Sequence, residues 1–225
     1  MSDTENEKRA RLEKRAAAAA AAALVEQGMA VGLGTGSTVA ELLPELAQRE
    51  IPGLRCVATS PATEEAAWAL GLSVEPFDSL TKLDLAIDGA DQVAPDGWLV
   101  KGGGGAHLRE KLVAAAAARF VVIVDSGKPV DVLGPPLPLE LRAFGLAATV
   151  ARLTALGEVR RREGPASPDG GVIADLHTDL GDPQRLSALL DADPGVAAHG
   201  LFPPAVVSEV LIGTPTGVEA KAIRR

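Results

Sequence analysis

The sequence predicts an α/β protein: a mostly parallel sheet with helices on both faces, together with a smaller α+β domain. Three observations carry this expectation. Short apolar runs alternate with helical stretches as far as Asp125, the order that yields parallel strands joined by crossover helices. Gly134-Pro135-Pro136 then breaks the pattern. After it the order becomes β-α-β-β-α-β, the ferredoxin-like arrangement.

The elements follow in order. Residues 5–27 read as a helix that stops at Gly28, with the alanine run 16–23 inside it, alanine being the strongest helix former. Residues 29–33 form a short apolar strand. A glycine loop follows, and Thr38 starts a second helix in which Pro44 bends the chain or stands near the end. Residues 54–58 form a strand and 62–70 a helix closed by Gly71. A buried strand, 83–87, ends at Asp88, and a short one, 98–100, ends at Lys101. Residues 106–118 form a helix, and 120–124 a strand ending at Asp125. These elements make a Rossmann-like sheet. The smaller domain has strands at 137–142, 158–162, 172–176 and 196–201, with helices at 146–156 and 183–190. Residues 206–212 form one more apolar strand that returns to the first sheet. The predicted domains are 1–133 with 206–225, and 134–205.

Composition excludes several classes. The 225 residues are 47% hydrophobic, enough for a sizeable core. With 22 Lys and Arg against 30 Asp and Glu, the net charge is −8. An acidic chain gives no support to nucleic-acid binding. No stretch is apolar enough to span a membrane, and Glu5, Glu7 and Glu13 spoil the basic start that a secretory signal needs. Cys56 is the single cysteine. It lies in an apolar strand, reads as a buried inert thiol, and fits a reducing cytoplasm. His107, His177 and His199 lack metal-ligand spacing, so no metal is expected.

In an open parallel sheet, ligands bind beyond the carboxyl ends of the strands, and loops at such ends are the candidates. Gly34-Thr35-Gly36-Ser37-Thr38 places glycines and hydroxyls at a helix start, where amide N–H groups and the helix dipole suit a phosphate. The alternative is a turn in which Ser37 or Thr38 caps the helix. Val39 stands where a dinucleotide fingerprint has its last glycine, and no lysine follows as in a P-loop. Asp88-Gly89-Ala90-Asp91 offers two carboxylates for sugar hydroxyls or proton transfer, or a solvated turn. Lys101-Gly102-Gly103-Gly104-Gly105 can wrap an anionic centre. Glu110, about one turn into the next helix, is either a functional acid or a helix-stabilising one. His107 reads as packing or surface. Lys128, after another strand end, and Lys14, in the first helix, can each reach an anion or be solvated.

Together these loops resemble the type A ribose-5-phosphate isomerase family. The matching segments are GLGTGST at 32–38, TSPATEEAAWALGL at 59–72, DGAD at 88–91, KGGGGAHLREKL at 101–112, VDSGKPVDVLG at 124–134 and LIGTPTGVE at 211–219. They run in family order over nearly the whole chain. The resemblance implies an aldose–ketose isomerase that interconverts D-ribose 5-phosphate and D-ribulose 5-phosphate, without metal or organic cofactor, as a homodimer or homotetramer. It implies Glu110 as the catalytic glutamate, with Asp88 and Lys101 assisting. The implied substrate contacts are Thr35, Gly36, Ser37, Thr38, Asp88, Gly89, Ala90, Asp91, Lys101, Gly102, Gly103, Gly104 and Lys128. Two positions depart from the family pattern: Gln92 replaces the acid usual after DGAD, and His107 stands where a small or apolar residue is usual. Two other functions use similar sheets. A non-catalytic sugar-phosphate sensor could dispense with Glu110, and an acyl- or CoA-transferase would use a glutamate as nucleophile.

Overall fold

The computed structural model describes residues 3–223. In chain order its elements are α1 (Asp3–Ala22), β1 (Ala30–Leu33), α2 (Ser37–Ala47), β2 (Arg55–Ala58), α3 (Pro61–Ala69), β3 (Leu83–Asp88), β4 (Gln92–Val93), β5 (Leu99–Val100), α4 (His107–Ala116), β6 (Ala117–Asp125) and β7 (Leu137–Leu141). There follow α5 (Leu146–Leu153), β8 (Glu158–Arg161), β9 (Val172–His177), α6 (Pro183–Asp191), β10 (Val196–His199), β11 (Leu201–Phe202), β12 (Glu209–Thr214) and β13 (Gly217–Ala222). The chain divides into two compact units. The first runs to Ala90, resumes for Arg109–Lys128 and again from Pro204, and the second holds Asp91–Leu108 and Pro129–Pro203.

The first unit is built on a six-stranded sheet in the order β13-β12-β6-β3-β1-β2, parallel except for the β12–β13 hairpin. Side-chain alternation sorts its faces. Val31, Leu33, Leu85, Ile87, Val121 and Ile123 are buried in one cluster with the alanines of α1, the leucines of α2 and Ala67 of α3. Burying each such aliphatic side chain stabilises the fold by about 1.5–3 kcal/mol. Gly213 of β12 lets α1 lie close: a Cβ there would fall 1.8 Å from the Glu13 carbonyl oxygen. On the other face, Gly32 leaves room for Val113 of α4, which a Cβ there would meet at 2.3 Å.

The α1 helix ends earlier than predicted. Leu24 and Val25 donate to Ala21 and Ala22, three residues back, so the helix tightens and stops before Gly28 reverses the chain at φ +76°. Pro44 stands inside α2, three residues before its end. Edge strand β13, unpredicted, is almost wholly exposed. It carries no apolar run that would announce it.

The second unit contains a four-stranded antiparallel sheet, β10-β7-β9-β8, the ferredoxin-like order. Leu137, Leu139 and Leu141 of β7 and Leu176 of β9 form its core with Leu153 of α5 and Leu186 and Leu190 of α6. A second, small sheet has the order β11-β5-β4 and is antiparallel. The predicted strand at 98–100 therefore does not join the parallel sheet. Gly97, at φ +91°, turns it back on β4 as a hairpin, and β11 pairs on its other side. This pairing and the Val130 N–H to Val93 carbonyl bond group residues 91–108 and 129–133 with the second unit, although sequence order suggested the first.

Candidate active site

The loop after β1 and the aspartate ending β3 fit each other. Gly34 has no side chain, and a Cβ there would lie 1.9 Å from Asp88 Oδ1. In that space Asp88, 3% exposed, accepts hydrogen bonds from the amides of Thr35 (3.1 Å) and Gly89 (2.7 Å). Thr63 of α3 donates to the Gly34 carbonyl at 2.9 Å, and the Thr35 and Thr59 hydroxyls meet at 2.8 Å. Gly36 is the N-cap of α2, at φ +106°, and no side chain caps the helix. Ser37 is its first residue, so neither Ser37 nor Thr38 is the capping residue. The first-turn amides of α2 thus lack the side-chain acceptor that would ordinarily occupy them. Gly89 lies beside Thr38, whose Oγ1 would be 3.8 Å from a Cβ at Gly89.

Lys14 reaches this loop from α1. Its Nζ donates to Ser37 Oγ at 3.0 Å and lies 3.8 Å from Asp125 Oδ2 at the end of β6. The neighbouring Glu13, 2% exposed, accepts from both the amide (3.0 Å) and hydroxyl (2.7 Å) of Ser126. The Lys128 amide donates to the Asp125 carbonyl, and the residue is half-buried. Of the two candidate lysines, Lys14 is the one whose ammonium touches the glycine–hydroxyl loop.

In the second unit, the segment after β5 is fixed by its own neighbours. The Lys101 amide donates to the Gly200 carbonyl at 2.8 Å, and its ammonium lies 5.3 Å from the Phe202 ring centroid, within cation–π range. Lys101 is 2% exposed. Gly102 has φ +105°, and a Cβ there would meet His107 Nδ1 at 2.7 Å and Pro138 Cβ at 2.9 Å. His107 is therefore a buried packing residue that needs a glycine opposite it. Asp91 Oδ2 accepts the Gly103 amide at 2.9 Å. On the opposite side of this loop Arg162 Nη1 donates to the carbonyls of Gly102 and Gly103, both at 3.0 Å. Its Nε and Nη2 grip Asp175 at 2.7 and 2.6 Å. The Asp175 hydrogen bond raises the Arg162 pKa above its ordinary value. The loop leads into α4, where Glu110 lies in the first turn and is 4% exposed.

Several of these residues were not predicted. Glu13, Arg162 and Asp175 come from distant stretches, and nothing local marks them; Thr59 and Thr63 fall in the matching segment 59–72, but no role was assigned to either. A buried acid in the first helix and an Arg–Asp pair staggered across two strands become visible only once the pairing is known. The two departures are also explained. Gln92 Nε2 donates to the Gly134 carbonyl and its Oε1 accepts the Gly134 amide, both at 2.8 Å. An ionised acid could make only one of those bonds. Cys56 is buried, as expected, and burial pushes its thiol up to about 12, with the Glu75 charge adding to the effect.

A parallel sheet whose strand ends hold an uncapped helix start, a tied aspartate and a lysine defines an α/β enzyme for a small anionic substrate. Its family is specific: residues 55–217 match ribose 5-phosphate isomerase A (phosphoriboisomerase A), and the chain belongs to that family. Ribose-5-phosphate isomerase A of Gluconobacter oxydans is 44% identical, over 92% of this chain and 94% of its own. The crystal structure of ribose 5 phosphate isomerase A from Neisseria gonorrhoeae superposes with a TM-score of 0.90 at 31% identity, covering 95% of this chain and 97% of that one. A D-ribose-5-phosphate isomerase solved in complex with phospho-erythronic acid gives the same TM-score and identity, over 95% and 99%. Among the described residues, no helix is long and apolar enough to cross a membrane.

Proposed function

We propose that this chain interconverts D-ribose 5-phosphate and D-ribulose 5-phosphate through an enediolate, with Glu110 carrying the proton between C2 and C1. Family membership supports the reaction. The observation that carries the mechanism is a buried carboxylate in the first turn of the helix that follows the lysine–glycine loop.

The C2 proton of the open-chain sugar is weakly acidic, because its carbanion is stabilised only by the adjacent carbonyl. Removing it needs a positioned base and charge stabilisation for the oxygen that becomes an oxyanion. Glu110 takes the C2 proton and returns it to C1. The Lys101 ammonium and the amides of the glycine loop stabilise the enediolate. Asp88 and Asp91 bind hydroxyls, and one of them assists ring opening or proton exchange between O1 and O2. Both are tied by backbone amides, which fixes where their remaining lone pairs point. The phosphate takes the start of α2, with the amides and hydroxyls of Ser37 and Thr38, beside Lys14; Lys128 contributes further positive charge. Phospho-erythronic acid, bound by the related enzyme, joins a phosphate to a planar carboxylate that resembles the enediolate in charge and shape. We also infer a homodimer or homotetramer in the cytoplasm; light scattering on the purified chain tests the assembly.

Glu110→Gln tests the base. It should keep the fold and most substrate affinity while turnover falls by at least ~10²-fold, the scale of a general base. Near-normal turnover would refute the assignment. Deuterium from solvent should appear at the sugar carbon in the wild type.

A further inference from the structure

We propose that Arg162 is a positioning residue for the isomerisation, holding the Gly102 and Gly103 peptides so that the Gly103 amide secures Asp91 and the Gly104 amide faces the enediolate. This rests on the reading that the lysine–glycine loop stabilises that intermediate.

The geometry is specific. Arg162 follows β8, and its own amide donates to the Ile173 carbonyl at 2.9 Å, so its backbone is fixed in the sheet. Asp175 of β9 binds two guanidinium nitrogens at 2.6 and 2.7 Å, which sets the plane of the fork. The third nitrogen, Nη1, bridges the carbonyls of Gly102 and Gly103. The only cis peptide among the described residues joins Pro135 to Pro136, so both glycine peptides are trans. In a planar trans peptide the C=O and the following N–H point in opposite directions. Turning the Gly102 carbonyl toward Arg162 therefore turns the Gly103 amide away from it, onto Asp91 Oδ2 at 2.9 Å. Turning the Gly103 carbonyl the same way points the Gly104 amide away from the guanidinium.

A run of glycines has no side chains to fix its peptide planes, and it is the most costly segment to order. Inside the loop the Gly105 amide donates to the Gly102 carbonyl at 3.0 Å; the Arg162 bridge adds order from outside and extends it to the Gly103 carbonyl. It also polarises the peptides: a cation on the carbonyl oxygen makes the attached N–H a stronger donor. Lysine cannot replace it, because one ammonium cannot span two carbonyls while chelating a carboxylate.

The test compares Arg162→Ala, Arg162→Lys, Asp175→Asn and Glu110→Gln in steady-state kinetics with ribose 5-phosphate. Calorimetric binding of phospho-erythronic acid and circular dichroism accompany them. Arg162→Ala should keep the dichroism spectrum, lose roughly 10- to 10²-fold in kcat, as for a weakened oxyanion donor, and change KM far less. Its affinity for phospho-erythronic acid should fall in parallel with kcat. Arg162→Lys should recover little, and added guanidinium should restore part of the activity of Arg162→Ala. Asp175→Asn should show the same kcat-against-KM split more weakly, and it serves as the test if Arg162→Ala does not fold. Unchanged kcat in Arg162→Ala beside an inactive Glu110→Gln would overturn the positioning role and leave the base assignment standing. A loss of kcat with unchanged analogue affinity and no guanidinium rescue would likewise overturn it. An active Glu110→Gln would instead remove the mechanism on which the proposal rests.

Discussion

Replacing Gly34 by alanine puts one methyl group where the Asp88 carboxylate now lies. The backbone at Gly34 is outside the left-handed region, so alanine is not strained there and the whole effect is steric. The new Cβ would be 1.9 Å from Oδ1 and 2.0 Å from Cγ, where ordinary contact begins at 3.4 Å. The carboxylate must retreat by about 1.5 Å. The hydrogen bonds from Thr35 and Gly89, at 3.1 and 2.7 Å, cannot both survive that displacement. Hydrogen bonds to a charged group are worth about 1.5–3 kcal/mol each. Allowing for partial relaxation, Gly34→Ala should lose about 2–4 kcal/mol, and Tm should fall by roughly 5–15 °C for a chain of this size. Under the role proposed for Asp88 in holding substrate hydroxyls, turnover should drop with it. Urea unfolding of Gly34→Ala, Asp88→Gly and the double variant forms a thermodynamic cycle. In the Asp88→Gly background the carboxylate and its Cβ are gone, and the alanine should cost almost nothing. An equal cost in both backgrounds would refute the reasoning. So would a single variant within about 0.5 kcal/mol of wild type, the ordinary range of harmless substitutions.

Other expectations follow from the same contacts. Gly36→Ala meets no neighbour but sits at φ +106° and ψ −179°, so it should lose about 1–3 kcal/mol from backbone strain alone, measured by urea unfolding. Gln92→Glu sets a carboxylate against the Gly134 carbonyl. At pH 7 it should lose about 1–3 kcal/mol, shrinking toward pH 4 as the protonated acid donates again. Asp193 is held below the usual carboxylate range by its hydrogen bond from Arg152. A depressed pKa gives stability that is present at neutral pH and lost on acidification, so the stability gap between wild type and Asp193→Asn should narrow as pH falls toward 3. With its thiol pushed up to about 12, Cys56 should resist a thiol reagent at pH 8 in the native protein and react once urea unfolds it.

The sequence declared most of the parallel sheet, because buried strands are short apolar runs and their ends carry glycine and acid. It also declared the loops that hold Ser37, Asp88, Lys101 and Glu110. Features that depend on pairing across long separations stayed hidden. Nothing at β5 says that its two residues pair with β11 rather than join the large sheet. β13 is exposed on both faces and so has no alternating pattern. Arg162 looks like any charged residue at a strand end until the strand register brings Asp175 beside it. Gln92, a mere departure from a motif on paper, proves to be a two-way bond to a backbone turn.

The close seat of α1 on β12 has a consequence for how the protein is made. Glu13 and Gly213, whose backbones touch, stand 200 positions apart in the chain. At about 5–20 residues per second of synthesis, α1 waits roughly 10–40 s before its partner strand exists. During that time its alanine stripe can meet α2 and then β6, but the part that β12 covers stays open. Alanine, a weak hydrophobe, is well suited to such a wait, because a leucine stripe of the same length would invite association with other nascent chains.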